Sequence, residues 1–321
     1  MATPVFNDIR KLFPNAHVVA IAESSIAQLL EGMAGVDEWL VFSRSKETKR
    51  QEERRMAKEL RERKIDLAIL LTRSWSSAWM VWRGKVAWRV GFRDHFRSFL
   101  LNMPLSLPKE EQHDVLTYLK LLSPFGPTDP SPALSLHVKA SEQEAMHKEL
   151  LALGWIPDKK LIILNPGAAY GSAKCWPKES FRETALRLSR DHGFFCLFIG
   201  DKKGAALVND ILGETPPPSI ASLAGKTSLR GLVALLSLAD CVVTNDSGPM
   251  HIAAALRRPL VALFGSTNPF RTGPWGIGTV IYKHVPCAPC YRRTCPRDFI
   301  CMRSIHPDEV IEAVLTNIRL P

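Results

Sequence analysis

The chain has 321 residues, 46% of them hydrophobic and 23% charged, with a formal net charge of +10; this is more than one core usually serves, so two domains of roughly 150 residues with a cleft between them are expected. The composition excludes a disordered chain, the lack of any apolar run of about 18 residues excludes a spanning helix, and the opening MATPVFNDIRKLFPNA lacks the core and cleavage site of a signal peptide, so a cytoplasmic protein is expected. The positive charge implies an anionic partner, for which nucleic acid, acidic lipid and phosphorylated small molecules all qualify.

Strand-like apolar runs at 18–22 and 67–71 alternate with helical patterns at 4–13, 25–33 and 46–64, the rhythm of a parallel sheet with crossover helices. Lys, Arg and Glu interleave through 46–64, which describes a solvated helix face better than a nucleic-acid arm. Between 73 and 89 tryptophan is interleaved with arginine and lysine. Trp75, Trp79 and Trp82 share a helical face, which suits either core packing or an interfacial surface. The stretch SPFGPTDPSPALS, ending at Ser135, carries four prolines and reads as a linker, which divides the chain into domains 1–135 and 136–321.

Beyond the linker a helix is expected at 141–153. The unbroken apolar runs LIILN (161–165), CLFIG (196–200), CVVTN (241–245) and LVALFG (260–265) then read as buried parallel strands. Each ends in a loop of small or polar residues: NPGAAYGS, GDKKG, NDSGPMH and GSTNP. Ligands of open α/β sheets sit at the carboxyl ends of the strands, so these loops describe one binding surface.

The sharpest local signal runs from Asn245 through Asp246, Ser247, Gly248, Pro249 and Met250 to His251, a strand, a tight loop and the start of a helix. Unpaired backbone N–H groups and the positive end of the helix dipole suit an anion there, Gly248 permits close approach, and His251 can donate to a phosphate oxygen. The alternative is that Asp246 or Ser247 merely caps the helix. A second loop, 166–177, contains Ser172 and one cation, Lys174, which either is an ordinary solvated charge or holds a diphosphate. In a third, Ala224 and Gly225 precede Lys226 and Thr227; a Walker A loop is excluded because the earlier glycine, Gly213, is too distant and no buried strand precedes it. Cys287, Cys290, Cys295 and Cys301 give the spacing C-x2-C-x4-C-x5-C, which fits either a compact zinc site or reduced thiols packed in a proline-rich loop.

The order PGAAYGSAKCWP, SLAGKTSL, TNDSGPMHIAAAL, LFGSTNPFRTGPWG and CAPCYRRTCPRDFICMRSIHPDEV resembles the ADP-heptose:lipopolysaccharide heptosyltransferases of glycosyltransferase family 9, heptosyltransferase II-like, across the C-terminal half. In the N-terminal half the likeness rests on MATP with Phe13-Pro14, on Gly91, and on His113 with Tyr118. The resemblance implies a GT-B fold, two Rossmann-like domains facing across a cleft, the N-terminal one taking the lipid A-linked acceptor and the C-terminal one the ADP-sugar. It implies inverting transfer of heptose to the lipopolysaccharide inner core, with no cofactor required and no nucleic-acid partner, by an enzyme peripheral on the cytoplasmic face of the inner membrane. It leaves zinc at the four cysteines as a structural option only. The tryptophan-rich stretch becomes a candidate acceptor-binding or membrane-facing surface.

Carried over by motif, Lys174 is the catalytic cation at the leaving diphosphate and Asp246 the sugar contact. Ser172, Ala224, Gly225, Ser247, Gly248, Pro249, Met250 and His251 complete the substrate-binding set. Family members open with a strand and a Gly-Asp dipeptide just before the position of Met1. The first strand of the N-terminal domain is therefore expected to be missing and the general base to lie upstream of Met1; Asp8, placed along a helix surface, is a poor substitute. A catalytically impaired nucleotide-sugar-binding homologue and a GT-B-like sugar-nucleotide epimerase are the alternatives. A nucleic-acid module fits poorly, since no recognition helix follows the cysteines.

Overall fold

The computed structural model describes residues 1–43, 45 and 48–319. The chain divides into two compact units, Met1–Pro132 and Ala133–Pro321, the division falling inside the proline-rich stretch.

The first unit runs α1 (Thr3–Leu12), β1 (Val19–Ala22), α2 (Ser24–Leu29), β2 (Glu38–Val41), α3 (Lys49–Glu62) and β3 (Leu67–Ile69). It continues with α4 (Trp75–Arg83), β4 (Trp88–Phe92), β5 (Met103–Leu105) and α5 (Asp114–Leu119). Its strands form two parallel sheets, β1-β2 and β3-β4-β5, and no strand among the described residues joins them. The helix expected at 46–64 starts at Lys49; Lys46 and Glu47 lie outside the described residues. It buries only Met56, Ala57 and Leu60, so its charges form the solvated face that their mixed signs suggested.

One detail of this unit departs from the sequence reading. Asp8 does not lie along an open helix surface: it is buried, accepts the Asp129 N–H at 2.8 Å and pairs with Lys11 at 3.1 Å, fastening α1 to the end of the unit. The tryptophan-rich stretch is a short helix followed by a strand. Gly84 ends α4 where a Cβ would stand 2.9 Å from the Leu60 side chain, so this close approach to α3 requires glycine.

The second unit runs α6 (Ala140–Ala152), β6 (Leu161–Asn165), α7 (Lys178–His192), β7 (Phe195–Phe198), α8 (Ala205–Leu212), β8 (Ile220–Ser222) and α9 (Leu229–Leu238). It ends with β9 (Cys241–Asn245), α10 (Gly248–Ala255), β10 (Leu260–Phe264), α11 (Pro269–Thr272), β11 (Thr279–Tyr282), α12 (Ile300–Arg303) and α13 (Pro307–Arg319). All six strands form one parallel sheet in the order β11-β10-β9-β6-β7-β8. Every residue of β6, β7, β9 and β10 is buried, which is why these strands are apolar without alternation. Local signals set the helix ends: Ser228 caps α9 by accepting the Gly231 N–H at 3.0 Å, and Gly193 ends α7 with φ of 70°.

Counted from β6, the sheet runs outward through β7 and β8 on one side and through β9, β10 and β11 on the other. This is the Rossmann order, whose reversal lies between β6 and β9 and opens a crevice at their carboxyl ends.

Candidate functional site

The reversal places the loop after β6 beside the loop after β9, two segments about 80 residues apart in sequence. Two asparagines that end these strands tie the loops together. Asn165, buried, donates to Thr244 Oγ1 at 2.9 Å and Ser247 Oγ at 2.8 Å; Asn245, buried, donates to the Pro166 carbonyl at 2.8 Å and accepts the Trp176 N–H at 3.1 Å. Trp176 is itself buried, donates its indole N–H to the Ile305 carbonyl at 3.0 Å and meets the Phe181 ring edge-on. The 166–177 loop is thus anchored at both ends.

Within this frame Lys174 is not a solvated surface charge. Its side chain is 12% exposed, forms an ion pair with Asp246 Oδ2, whose side chain is 6% exposed, and lies 4.7 Å from the centre of the Tyr170 ring. The Thr267 hydroxyl donates to the same carboxylate oxygen at 2.6 Å. The Tyr170 hydroxyl donates to the Tyr291 carbonyl at 2.7 Å, and Arg293 stands 5.4 Å from its ring. Gly171, φ of 155°, passes so near the Arg293 carbonyl that a Cβ would lie 2.3 Å from it, which reserves the position for glycine.

Ser247 stands at the N-cap of α10 yet makes no side-chain capping bond, because its hydroxyl is held by Asn165. Capping by Ser247 therefore does not account for this loop. A Cβ on Gly248, the first residue of α10, would meet nothing within 4 Å, so the backbone there is open to a ligand. Pro249 has no N–H and the Met250 N–H donates to the Ser247 carbonyl at 3.2 Å, so the first turn offers the Gly248 N–H and the positive end of the dipole, close in sequence to Asp246 of the Lys174–Asp246 pair. Met250 is buried beneath this turn, and His251 is half-buried on it.

The structure brings Ser172, Lys174, Asp246, Ser247, Gly248, Pro249, Met250 and His251 together at the reversal. Ala224 and Gly225 stand apart, past the end of β8, two strands from β6 and so roughly 10 Å along the sheet edge. The short strand β8 precedes the Gly-Lys-Thr tripeptide but is buried only at Ile220, so no buried strand stands there. It is an edge strand, and the glycine spacing of a phosphate loop is still lacking. The sequence reading missed Tyr170, Thr267 and Arg293. The first two lie in loops it had marked, but nothing local distinguishes an aromatic or a threonine that will face a lysine from one that will not.

The cysteines are free thiols, and no group of three or more His, Cys, Asp or Glu among the described residues is placed to hold a metal ion. Cys295 accepts the backbone N–H groups of Arg297 at 3.4 Å and Phe299 at 3.3 Å, Cys301 is buried, and burial raises the Cys301 thiol above its ordinary pKa. The loop they shape presses Arg293 against the 166–177 loop, where Ala173 N–H donates to the Arg293 carbonyl at 3.0 Å.

Residues 53–300 match glycosyltransferase family 9 (heptosyltransferase). Among curated relatives, lipopolysaccharide heptosyltransferase 2 of Salmonella typhimurium is 32% identical over 286 residues, which cover 85% of this chain and 81% of that protein. Among solved structures, the Escherichia coli ADP-heptose lipopolysaccharide heptosyltransferase II superposes with a TM-score of 0.83 at 28% identity, covering 99% of this chain and 94% of its own. A family 9 glycosyl transferase from Veillonella parvula has the same fold, with a TM-score of 0.87 at 23% identity over 99% of this chain and 92% of its own.

Proposed function

The chain belongs to glycosyltransferase family 9, the heptosyltransferases, and from that premise we propose that it transfers heptose from ADP-heptose to the inner core of a lipid A-linked lipopolysaccharide acceptor. The observation that carries the reading is the position of the Lys174–Asp246 pair and the amino end of α10 at the strand-order reversal of the six-stranded sheet. A diphosphate binds where orphan N–H groups and a fixed cation converge, and the nucleoside extends along the sheet edge toward Ala224 and Gly225.

The transfer is inverting. An acceptor hydroxyl oxygen attacks the anomeric carbon from the face opposite the diphosphate, the bond from that carbon to the diphosphate oxygen breaks, and the hydroxyl proton passes to a base. Negative charge grows on the departing ADP. Lys174, the Gly248 N–H at the start of α10 and His251 are set before the reaction to receive it, so they stabilise the transition state more than the bound donor. Asp246 keeps the Lys174 ammonium in place through Oδ2, which leaves Oδ1 for a hydroxyl of the sugar. The step draws on no metal or redox cofactor.

No helix among the described residues is long and apolar enough to cross a membrane. The proposed setting is the cytoplasmic face of the inner membrane, where a lipid-anchored acceptor meets a water-soluble donor.

Calorimetry with ADP tests the donor site: binding is expected, and UDP or GDP binding as tightly would overturn an ADP-sugar donor. Transfer of label from ADP-heptose to a lipopolysaccharide core acceptor tests the reaction. Donor turnover without acceptor would point instead to an epimerase.

A further inference from the structure

One face of the first unit exposes large aromatic side chains where an ordinary soluble domain would carry polar ones. Ala78 and Val81 of α4 pack with Leu60, Leu100 and Leu101 into one core cluster, so α4 and the turn Ser98–Leu100 cover the same side of the three-stranded sheet. Their exposed residues include Trp75 and Trp82, each 46% exposed, and Phe99, 73% exposed; Phe96, in the loop just before the turn, is 96% exposed. Isolated exposed apolar residues need no explanation, but four aromatics on one helix and the loop and turn beside it do.

The protrusion is built. His95 and Phe96 both hold left-handed backbone, with φ of 49° and 54°, a conformation bulky residues rarely adopt unless their surroundings impose it. Arg97 imposes it. It is fully buried, and its guanidinium donates to the carbonyls of Phe92 at 3.1 Å, Thr72 at 2.7 Å and Ser74 at 3.0 Å and to the Ser77 hydroxyl at 3.3 Å. Arg97 fastens the loop from within, and the two phenylalanines beside it stand in water with apolar area that an apolar environment would stabilise by covering.

Charge specifies that environment. From Arg73 to Phe99 the sequence has six arginines and lysines and one acid, Asp94, which faces Arg73 at 3.4 Å. Arg73, Arg83, Lys85 and Arg93 are exposed, on or next to the segments that carry these aromatics. Aromatic side chains that sit at headgroup depth, ringed by cations, match the surface of an anionic bilayer.

We propose that this face, the outer side of α4 with the 93–99 loop, docks on an anionic phospholipid bilayer, with Phe96 and Phe99 entering the headgroup region. The proposed function enters only in the choice of a bilayer as partner, because the acceptor is lipid-anchored. Docking itself needs neither donor nor acceptor.

The test is sedimentation of the full chain with phosphatidylglycerol–phosphatidylethanolamine vesicles and with phosphatidylcholine vesicles. Binding to the anionic vesicles is expected, falling steeply as salt is raised. Phe96→Ser with Phe99→Ser should weaken it roughly 10- to 100-fold. Arg83→Gln with Lys85→Gln should weaken it by about fivefold for each charge. Bromine-labelled acyl chains should quench tryptophan emission of the bound protein. Transfer to a deacylated, water-soluble acceptor should be unchanged in Phe96→Ser with Phe99→Ser, which separates this proposal from the proposed activity. Wild-type protein that stays in solution, binding indifferent to both pairs of substitutions, or a face found buried in a dimer of this chain in solution would overturn it.

Discussion

The two units solve the same architectural problem unequally. In the second unit six strands form one sheet, and β6, β7, β9 and β10 are buried at every residue. In the first unit the strands fall into a pair and a trio, β1 and β2 are mostly half-buried or exposed, and the core breaks into several small clusters. Each unit is therefore suited to a different kind of function. Buried strand ends and paired asparagines hold the Lys174–Asp246 site to a fixed geometry, which charge stabilisation of a leaving group requires. Small clusters and short strands hold a surface, which a membrane or a bulky acceptor can engage without sub-ångström demands.

Hydrogen exchange should display this contrast first and most strongly. Amides of β6 and β9 are expected to exchange about a thousandfold more slowly than those of β1 and β3, since protection follows local burial and cooperative pairing. Equal protection in both units would break the comparison. The next largest effect is catalytic. Lys174→Ala and His251→Ala should each cost about 2–4 kcal/mol in the transition state, read as kcat/KM for heptose transfer, while thermal unfolding of the first unit stays where it was. Wild-type turnover in both variants would reassign these residues to packing.

The smallest effect sharpens the contrast through pH. The Arg230 guanidinium donates to Glu142 at 2.8 Å and holds its carboxyl at about 2, against an ordinary value of 4.5. The folded pKa is depressed, so the stability this pair gives the second unit is present above pH 4.5 and is lost as pH falls toward 2. Acid unfolding followed in the second unit should therefore shift less with pH over that window in Glu142→Gln than in the wild type. An unchanged pH profile would remove the pair from the unit's stability.

Much of the second unit was legible before any coordinates, and for a physical reason. A strand covered on both faces must be apolar throughout, so LIILN, CVVTN and LVALF declare themselves, and the loops after them must carry whatever touches a ligand. The first unit was harder to read. β2, β4 and β5 are short and incompletely buried, and their sequences EWLV, WRVGF and MPL show no period that separates strand from coil.

The chemical parts are legible in the sequence: the Asn-Asp-Ser-Gly loop with its helix, the single lysine of the 166–177 loop, the aromatic and basic stretch, and a family resemblance carried by their order. Their adjacency comes from the fold. That Lys174 meets Asp246 across 72 residues follows from β6 and β9 being neighbours in the sheet. That Arg97 lies inside the protein while Phe96 lies outside reverses what their polarity alone would suggest. Composition and periodicity record how each segment meets water, whereas strand order and the direction of a side chain are set by partners distant in the chain, whose effect no local window contains.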